Sequence, residues 1–322
     1  MKHTPREIQF VHLKTATLPY FSAAVSNSSA PQISFLVPAK GSAEILTETI
    51  EQIHQYLSKN FSESFEIILI PNPLAINSNQ PLSEENAELL KVACELKTRF
   101  KELRIIPHEF PRGKSAALKT GFMASRGKWI FTTDNDLPFD LSFFDQAAVH
   151  LKSGADFVIG NRRRSDSKTI VPTGMFIRYV RRYFLSRCFS FAVRTLIPII
   201  KVADTQAGIK AMTREFAELA FRLQTCPGFY GDLELLLAAL QNNKKVSDLP
   251  VILTVDDNKS SVNFRKELSL ALYWIFKISK RNSEGLYREA SALNSESYAG
   301  DLIEIITSEA EFPSNLVQSR GL

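Results

Sequence analysis

Between Ile33 and Gly160, short apolar runs rich in β-branched and aromatic residues alternate with stretches of helical periodicity. This alternation constrains the fold more than any other feature of the chain. Ile33-Ser34-Phe35-Leu36-Val37 reads as a buried strand closed by Pro38. In Glu44 to Asn60 the apolar residues Ile45, Leu46, Ile50, Ile53 and Leu57 recur at the spacing of one helix face. A second strand is expected at Phe65 to Ile70, a helix at Glu84 to Phe100, a short strand at Arg104 to Ile106, and a helix at Lys114 to Arg126 stopped by Gly127. Trp129 to Thr133 predicts a further buried strand, Ser142 to Lys152 a helix, and Asp156 to Ile159 a fifth strand ending at Gly160. Alternating units of this kind form a mostly parallel sheet covered by helices on both faces, an α/β fold. Ligands of such sheets bind beyond the carboxyl ends of the strands. Pro38, Pro71, Asp134 and Gly160 stand at those ends and are expected to converge on one crevice.

The second half is less regular. Phe176 to Ile200 threads Arg178, Arg181, Arg182, Arg187 and Arg194 through an aromatic and aliphatic run. Helices are expected near Arg214 to Leu223 and Asp232 to Gln241, a strand at Lys245 to Thr254, and a basic amphipathic helix at Phe264 to Lys280. Residues 1–31 lack periodicity and predict a loose arm. Residues 282–322 turn polar and acidic and predict a tail, with a short apolar island at Leu302 to Ile306. The main domain is therefore expected over 32–281.

With 44% hydrophobic and 23% charged residues, the chain has the balance of a globular protein and not of a disordered one. The net charge of +5 suits phosphate-bearing ligands or an anionic membrane surface. Nothing beyond that modest charge points to nucleic acid. Cys94, Cys188 and Cys226 follow no metal-site or disulfide spacing, which fits a reducing cytosol. The start of the chain lacks the apolar core of a signal peptide. No run reaches the about 20 apolar residues that span a bilayer: Cys188 to Ile200 is broken by Arg194 and Pro198, and Leu268 to Ile278 is too short.

Asp134-Asn135-Asp136 follows the expected strand at Trp129 to Thr133. Paired carboxylates at such a point suit a hard divalent cation that also takes phosphate oxygens. The same pattern also occurs in plain solvated loops and helix caps.

Arg112-Gly113-Lys114, Gly121, Ala124-Ser125-Arg126-Gly127, Asp134-Asn135-Asp136, Gly160-Asn161-Arg162 and Asp204-Thr205-Gln206-Ala207-Gly208-Ile209-Lys210 form an ordered series. As a set it resembles the family-two glycosyltransferases of GT-A (Rossmann-like) fold, and within them the polyprenyl-phosphate (dolichyl-phosphate) β-glucosyltransferases. The resemblance covers about residues 33–280. It implies transfer of one sugar from a nucleotide diphosphate sugar, UDP-glucose being the expected donor, to a lipid-linked phosphate at the cytoplasmic face of a membrane. It also implies inversion at the anomeric carbon.

Under that resemblance Asp134 and Asp136 hold Mg²⁺ or Mn²⁺ across the diphosphate. Pro38, Ala39, Glu44, Asn72, Lys114 and Asn135 line the donor side. Arg162 and Arg163 grip the acceptor phosphate, since guanidinium matches phosphate oxygens in pairs. Gln206, Lys210 and Glu234 complete the acceptor pocket, while Asp232 is expected to cap the helix that it opens. The bland alternatives are a solvated helix-start Lys114, an exposed basic turn at Arg162 to Arg164, and loop-capping roles for Gln206 and Lys210. Phe176 to Val202 and the helix at Phe264 to Lys280 read as basic amphipathic segments lying on a membrane, with lipid against Phe184, Phe189, Phe191 and Leu196. Their alternative is a helix pair covering the sheet with its arginines in water. Relatives often add transmembrane helices after this region, so a peripheral attachment or a membrane-protein partner is expected here.

Two departures stand out. Family members usually carry P-A-x-N-E after the first strand, where this chain has Pro38-Ala39-Lys40-Gly41-Ser42-Ala43-Glu44. They usually end the second strand in D-D-G-S, where this chain has Pro71-Asn72-Pro73-Leu74. These admit two other functions: a non-catalytic glycosyltransferase-like binding protein, or a transferase acting on a soluble sugar or polysaccharide.

Overall fold

The computed structural model describes residues 30–40, 43–71, 84–106, 113–255 and 264–289. In chain order the elements are β1 (Ile33–Ala39), α1 (Ala43–Asn60), β2 (Phe65–Pro71), α2 (Glu84–Arg99), β3 (Leu103–Ile105), α3 (Lys114–Ala124), β4 (Trp129–Thr132), α4 (Phe143–Lys152) and β5 (Phe157–Asn161). They continue as β6 (Lys168–Ile170), α5 (Phe176–Leu196), β7 (Lys210–Thr213), α6 (Arg214–Leu223), α7 (Gly231–Gln241), β8 (Val246–Pro250), β9 (Ile252–Thr254) and α8 (Phe264–Ser283). Asn72, the arm up to Ser29 and the tail beyond Glu289 lie outside the described residues.

The main sheet runs β3-β2-β1-β4-β7-β5-β8. Its pairings are parallel except at β7, which is antiparallel to both β4 and β5. Side chains of a strand alternate between faces, and the core divides accordingly. Ile33, Phe35, Val37, Ile67, Leu69, Phe131 and Val158 pack with α1, α2 and α4. Leu36, Ile68, Ile70, Ile130, Phe157 and Ile159 pack on the other face with α3, α6 and α7, backed by Val193 of α5 and Ile275 of α8.

The first half matches the strand–helix alternation read from the sequence. The second half differs in two places. The expected strand at Lys245 to Thr254 is two strands broken at Val251: β8 joins the main sheet, and β9 pairs with β6 in a separate ribbon. The segment Lys210 to Thr213, to which the sequence assigns no element, is β7. It inserts antiparallel, so its amino end lies at the same edge as the carboxyl ends of β4 and β5: Lys210 is in register with Thr132 on one side and Ile159 on the other.

Helix α5 covers the sheet with one side only. Val193 and Ile197 are buried and Phe189 and Leu196 pack against the core, while Phe176, Val180, Tyr183, Phe184, Arg187, Phe191 and Arg194 are exposed. Phe189 and Leu196, expected to meet lipid, thus face inward. Helix α8 behaves alike. It buries Ala271, Trp274, Ile275 and Ile278 and exposes Leu272, Tyr273, Phe276 and Lys280.

Candidate active site

The strand order reverses direction of growth at β1, with β2 on one side and β4 on the other, and a crevice opens beyond the carboxyl ends at such a point. Thr132 and Thr133 are buried at the end of β4, and Asp134 to Asp136 emerge from them into this crevice. The loop is held from two sides. Thr49 of α1 donates its hydroxyl to the carbonyl of Asn135 at 2.5 Å, and the Leu137 amide reaches back to the Asp134 carbonyl at 3.2 Å. Leu137 has φ of 42°. A branched side chain in the left-handed region is costly and is kept where the surroundings dictate it.

Lys114 opens α3 behind Gly113, whose φ of 102° favours glycine. Its Nζ lies 2.5 Å from Oδ1 of Asp134, with 9% of the side chain exposed. It is therefore a buried ion-pair partner of the motif, and the solvated alternative falls. Burial opposes its charge, but Asp134, Asp232 and Asp136 outweigh burial and raise its pKa. Gly208 closes over this pair. A methyl group on its Cα would overlap Oδ2 of Asp134 and lie 3.1 Å from Nζ of Lys114.

Beneath that pair lies a second one. Lys210 Nζ is 2.8 Å from Oδ2 of Asp232, and both side chains are almost fully buried. Burial lowers the Lys210 pKa and Lys114 adds to this, against the pull of Asp232. The expected cap role of Asp232 is overturned. Tyr230 holds the N-cap position of α7 without a side-chain bond, and the Asp232 carboxylate is turned to Lys210. Lys210 accordingly sits inside the site floor and not on a solvated loop.

A third pair lies beyond β5. Arg162 binds Asp204 through Nε and Nη2, both at 2.7 Å, and through its backbone amide at 3.0 Å. Burial opposes ionisation of Asp204, but these bonds prevail and hold its pKa below the usual carboxylate range. The negative charges of Asp134 and Asp232 also reach Arg162, so the three pairs form one alternating array. Arg163 points elsewhere: it donates to the carbonyls of Ala203 at 2.6 Å and Ser186 at 2.7 Å, fastening the β5 exit to α5. Arg164 pairs with Asp166 at the surface. The expected joint grip of Arg162 and Arg163 is thus divided, and only Arg162 faces the array.

Glu234 is also moved from its expected role. At 1% exposure, its oxygens take donors from Thr225, Cys226 and Tyr287, which leaves it a tether below the pocket. Pro38 and Ala39 end β1 beside Ile70 and Pro71, and Glu44 is exposed in the first turn of α1. Asn135 is half-buried beside Asp134. Nε2 of Gln206 and the hydroxyls of Thr132, Thr133 and Thr205 are buried without a partner among the described residues. Orphaned polar atoms at one sheet edge fit a polar ligand or water there.

Among the described residues no three His, Cys, Asp or Glu side chains gather as a metal cage. Asp134 and Asp136 alone nevertheless fit Mg²⁺ or Mn²⁺, which are commonly held by one or two carboxylates plus substrate phosphates. Sequence reading missed Asp204 as the partner of Arg162, Asp232 as the partner of Lys210, and the closeness of Gly208. The available signal was charge: buried cations need buried anions.

Residues 34–185 match the family model Glycosyl transferase family 2. A dolichyl-phosphate beta-glucosyltransferase of Trichomonas vaginalis is 26% identical over 231 residues, covering 68% of this chain and 64% of that protein. One of Dictyostelium discoideum is 24% identical over 277 residues, covering 83% and 80%. A solved structure of Mycobacterium tuberculosis glucosyl-3-phosphoglycerate synthase aligns with a TM-score of 0.47 at 16% identity, covering 78% of this chain and 79% of that one. Over residues 34–185 the chain thus matches the glycosyl transferase family 2 model, and over most of its length it resembles the dolichyl-phosphate beta-glucosyltransferases.

Proposed function

We propose that this protein is an inverting glycosyltransferase that moves a sugar from a nucleotide diphosphate sugar, UDP-glucose above all, to a polyprenyl or dolichyl phosphate at a membrane surface. The buried Lys114–Asp134 pair at the carboxyl end of β4 carries this reading. It puts a fixed positive charge and a metal-competent carboxylate together at a helix start, where backbone N–H groups favour phosphate.

Asp134 and Asp136 would hold Mg²⁺ or Mn²⁺, which would supply positive charge against the leaving diphosphate. Lys114 adds to that charge from the start of α3. Lys210 and Asp232 balance each other beneath it, keeping the floor of the site rigid and dry. Arg162, oriented by Asp204, offers charge to the acceptor phosphate. That phosphate needs no protein base, because a phosphomonoester is largely ionised near neutral pH (second pKa about 6). Its oxygen forms the new bond to the anomeric carbon as the bond from that carbon to the diphosphate oxygen breaks. Displacement from the opposite face inverts the centre. Positioning and charge neutralisation then provide the acceleration.

The exposed stripes on α5 and α8 support action at a membrane. Phe176, Phe184, Phe191 and Phe276 are each more than 60% exposed, and Arg187 and Arg194 lie on the same side of α5 as its aromatics. Aromatics among cations on one helix side suit the headgroup layer. No helix of the described residues is long and apolar enough to cross a bilayer.

The test is calorimetric titration of UDP-glucose and GDP-mannose with and without Mn²⁺, followed by transfer of labelled sugar to polyprenyl phosphate in detergent. Metal-dependent binding of one donor with transfer to the lipid is expected. Absence of both would sink the reading.

A further inference from the structure

The first turn of α3, which carries Lys114, is covered by the loop from Thr225 to Tyr230. Pro227 accepts the Ala116 amide at 3.0 Å, and a Cβ on Gly113 would lie 3.1 Å from both the Pro227 carbonyl oxygen and the Gly228 Cα. This loop is bound in turn to a single buried carboxylate. Glu234 accepts from the Thr225 amide at 2.9 Å, the Thr225 hydroxyl at 2.7 Å, the Cys226 amide at 2.6 Å and the Tyr287 hydroxyl at 2.7 Å. Tyr287 comes from beyond α8 and is fully buried. Its backbone carbonyl is held by Asn242 at 2.7 Å, and Arg281 lies 5.5 Å over its ring.

Resting on the transferase reading, we infer that Glu234 and Tyr287 are positioning residues. They clamp the 225–230 loop onto the start of α3 and thereby fix Lys114 for the donor phosphates. The two carboxylates of the first turn of α7 divide the work. Asp232 reaches Lys210 in the site floor, and Glu234 reaches the loop. Tyr230, at the end of the loop, also lies 5.7 Å ring to ring from Phe189 of α5. The clamp therefore joins the phosphate end of the site to both helices that bear the exposed aromatic stripes.

Cys226 supplies a reporter, since its side chain is buried within the clamp. The experiment uses the full chain with the two exposed cysteines replaced, Cys94→Ser and Cys188→Ser. Tyr287→Phe removes one donor from Glu234. Native-state thiol labelling of Cys226 is expected to accelerate by about tenfold or more, the range opened by losing one hydrogen bond to a charged group. Calorimetric affinity for UDP with Mn²⁺ is expected to fall with it. Tyr56→Phe is the control, because it removes the 2.8 Å hydroxyl bond to Asp145 on the other side of the sheet. Labelling that stays slow in Tyr287→Phe, or that rises equally in Tyr56→Phe, overturns the clamp. Faster labelling with unchanged UDP affinity overturns the positioning role. The labelling needs no nucleotide, so a parent chain that binds neither UDP nor GDP would refute the transferase reading while the clamp stands or falls on its own result.

Discussion

Nζ of Lys114 rests 2.5 Å from Oδ1 of Asp134 with most of the lysine side chain out of water. The two residues lie on different elements, the start of α3 and the end of β4, and meet only because β1 and β4 are neighbours in the sheet. Lys114→Met keeps the stem and removes the charge. It leaves Asp134 facing Asp232 and Asp136 without its cation. Losing one partner of such a pair at a binding site costs about 2–5 kcal/mol. UDP affinity measured with Mn²⁺ should therefore fall by at least about tenfold, while the circular dichroism spectrum keeps its α/β shape.

Asp136→Ala addresses the metal. Asp136 is exposed in the loop held by Thr49, so its loss should leave the unfolding free energy within about 0.5 kcal/mol of the parent's, as for most surface substitutions. Metal-dependent UDP binding should disappear. Calorimetry with and without Mn²⁺ checks this, and an unchanged metal dependence would remove Asp136 from the ligand set.

Gly208→Ala is a steric test of the same pair. The added methyl meets Oδ2 of Asp134 and Nζ of Lys114, two groups that cannot both withdraw without breaking their bond. Overpacking of this kind costs about 1–3 kcal/mol. Donor affinity should drop strongly with a modest loss in thermal stability. Gly228→Ala, where a Cβ meets nothing within 4 Å, should change neither.

Much of this was legible in the sequence, for physical reasons. Strands such as Phe65 to Ile70 announce themselves because a strand buried on both faces is apolar along most of its length, Glu66 being the exception here, and the helix from Ala43 shows its inward stripe at Leu46, Ile50, Ile53 and Leu57. The D-x-D loop followed from its place after such a strand. What stayed hidden depends on long-range pairing. Lys210 to Thr213 did not read as a strand because β7 is only four residues long and owes its existence to both neighbours. Asp232 read as a helix cap and Glu234 as a pocket residue, as no local pattern tells that one carboxylate will meet Lys210 and the other the amides of Thr225 and Cys226.

Acid should unfold the protein through two buried carboxylates. Glu66 accepts from Ser34, Arg104 and the Arg126 amide, and Asp204 from Arg162 and Gln206. Burial opposes their ionisation, yet these donors hold both pKa values below their ordinary range. A carboxylate with a depressed folded pKa contributes stability above its unfolded value, about 4.3 for Glu and 3.9 for Asp, and loses it as pH falls through the folded value. Urea midpoints should hold from neutral pH down to those values and decline below them. Asp204→Asn should flatten part of that decline and cost about 3–5 kcal/mol at pH 7, since it leaves Arg162 without its counter-charge.

The exposed stripe of α5 gives the last test. Along α5, Phe176, Val180, Tyr183, Phe184, Arg187, Phe191 and Arg194 fall within about a third of a turn at 3.6 residues per turn, and all are exposed. An exposed stripe of this composition in a water-facing helix would be a liability, because large apolar patches associate. On the proposed membrane reading, the rings enter the headgroup layer of an anionic bilayer while the arginines meet lipid phosphates. The full chain should pellet with phosphatidylserine-containing vesicles at low salt and less so at high salt, where surface charge is screened. Phe184→Ser with Phe191→Ser should reduce pelleting at every salt concentration, because it removes the apolar contribution. Arg187→Gln with Arg194→Gln should reduce it chiefly at low salt. Neither pair contacts Lys114, Asp134 or Arg162, so UDP binding should survive in both. Vesicle binding that ignores all four substitutions would leave the stripe to some other partner.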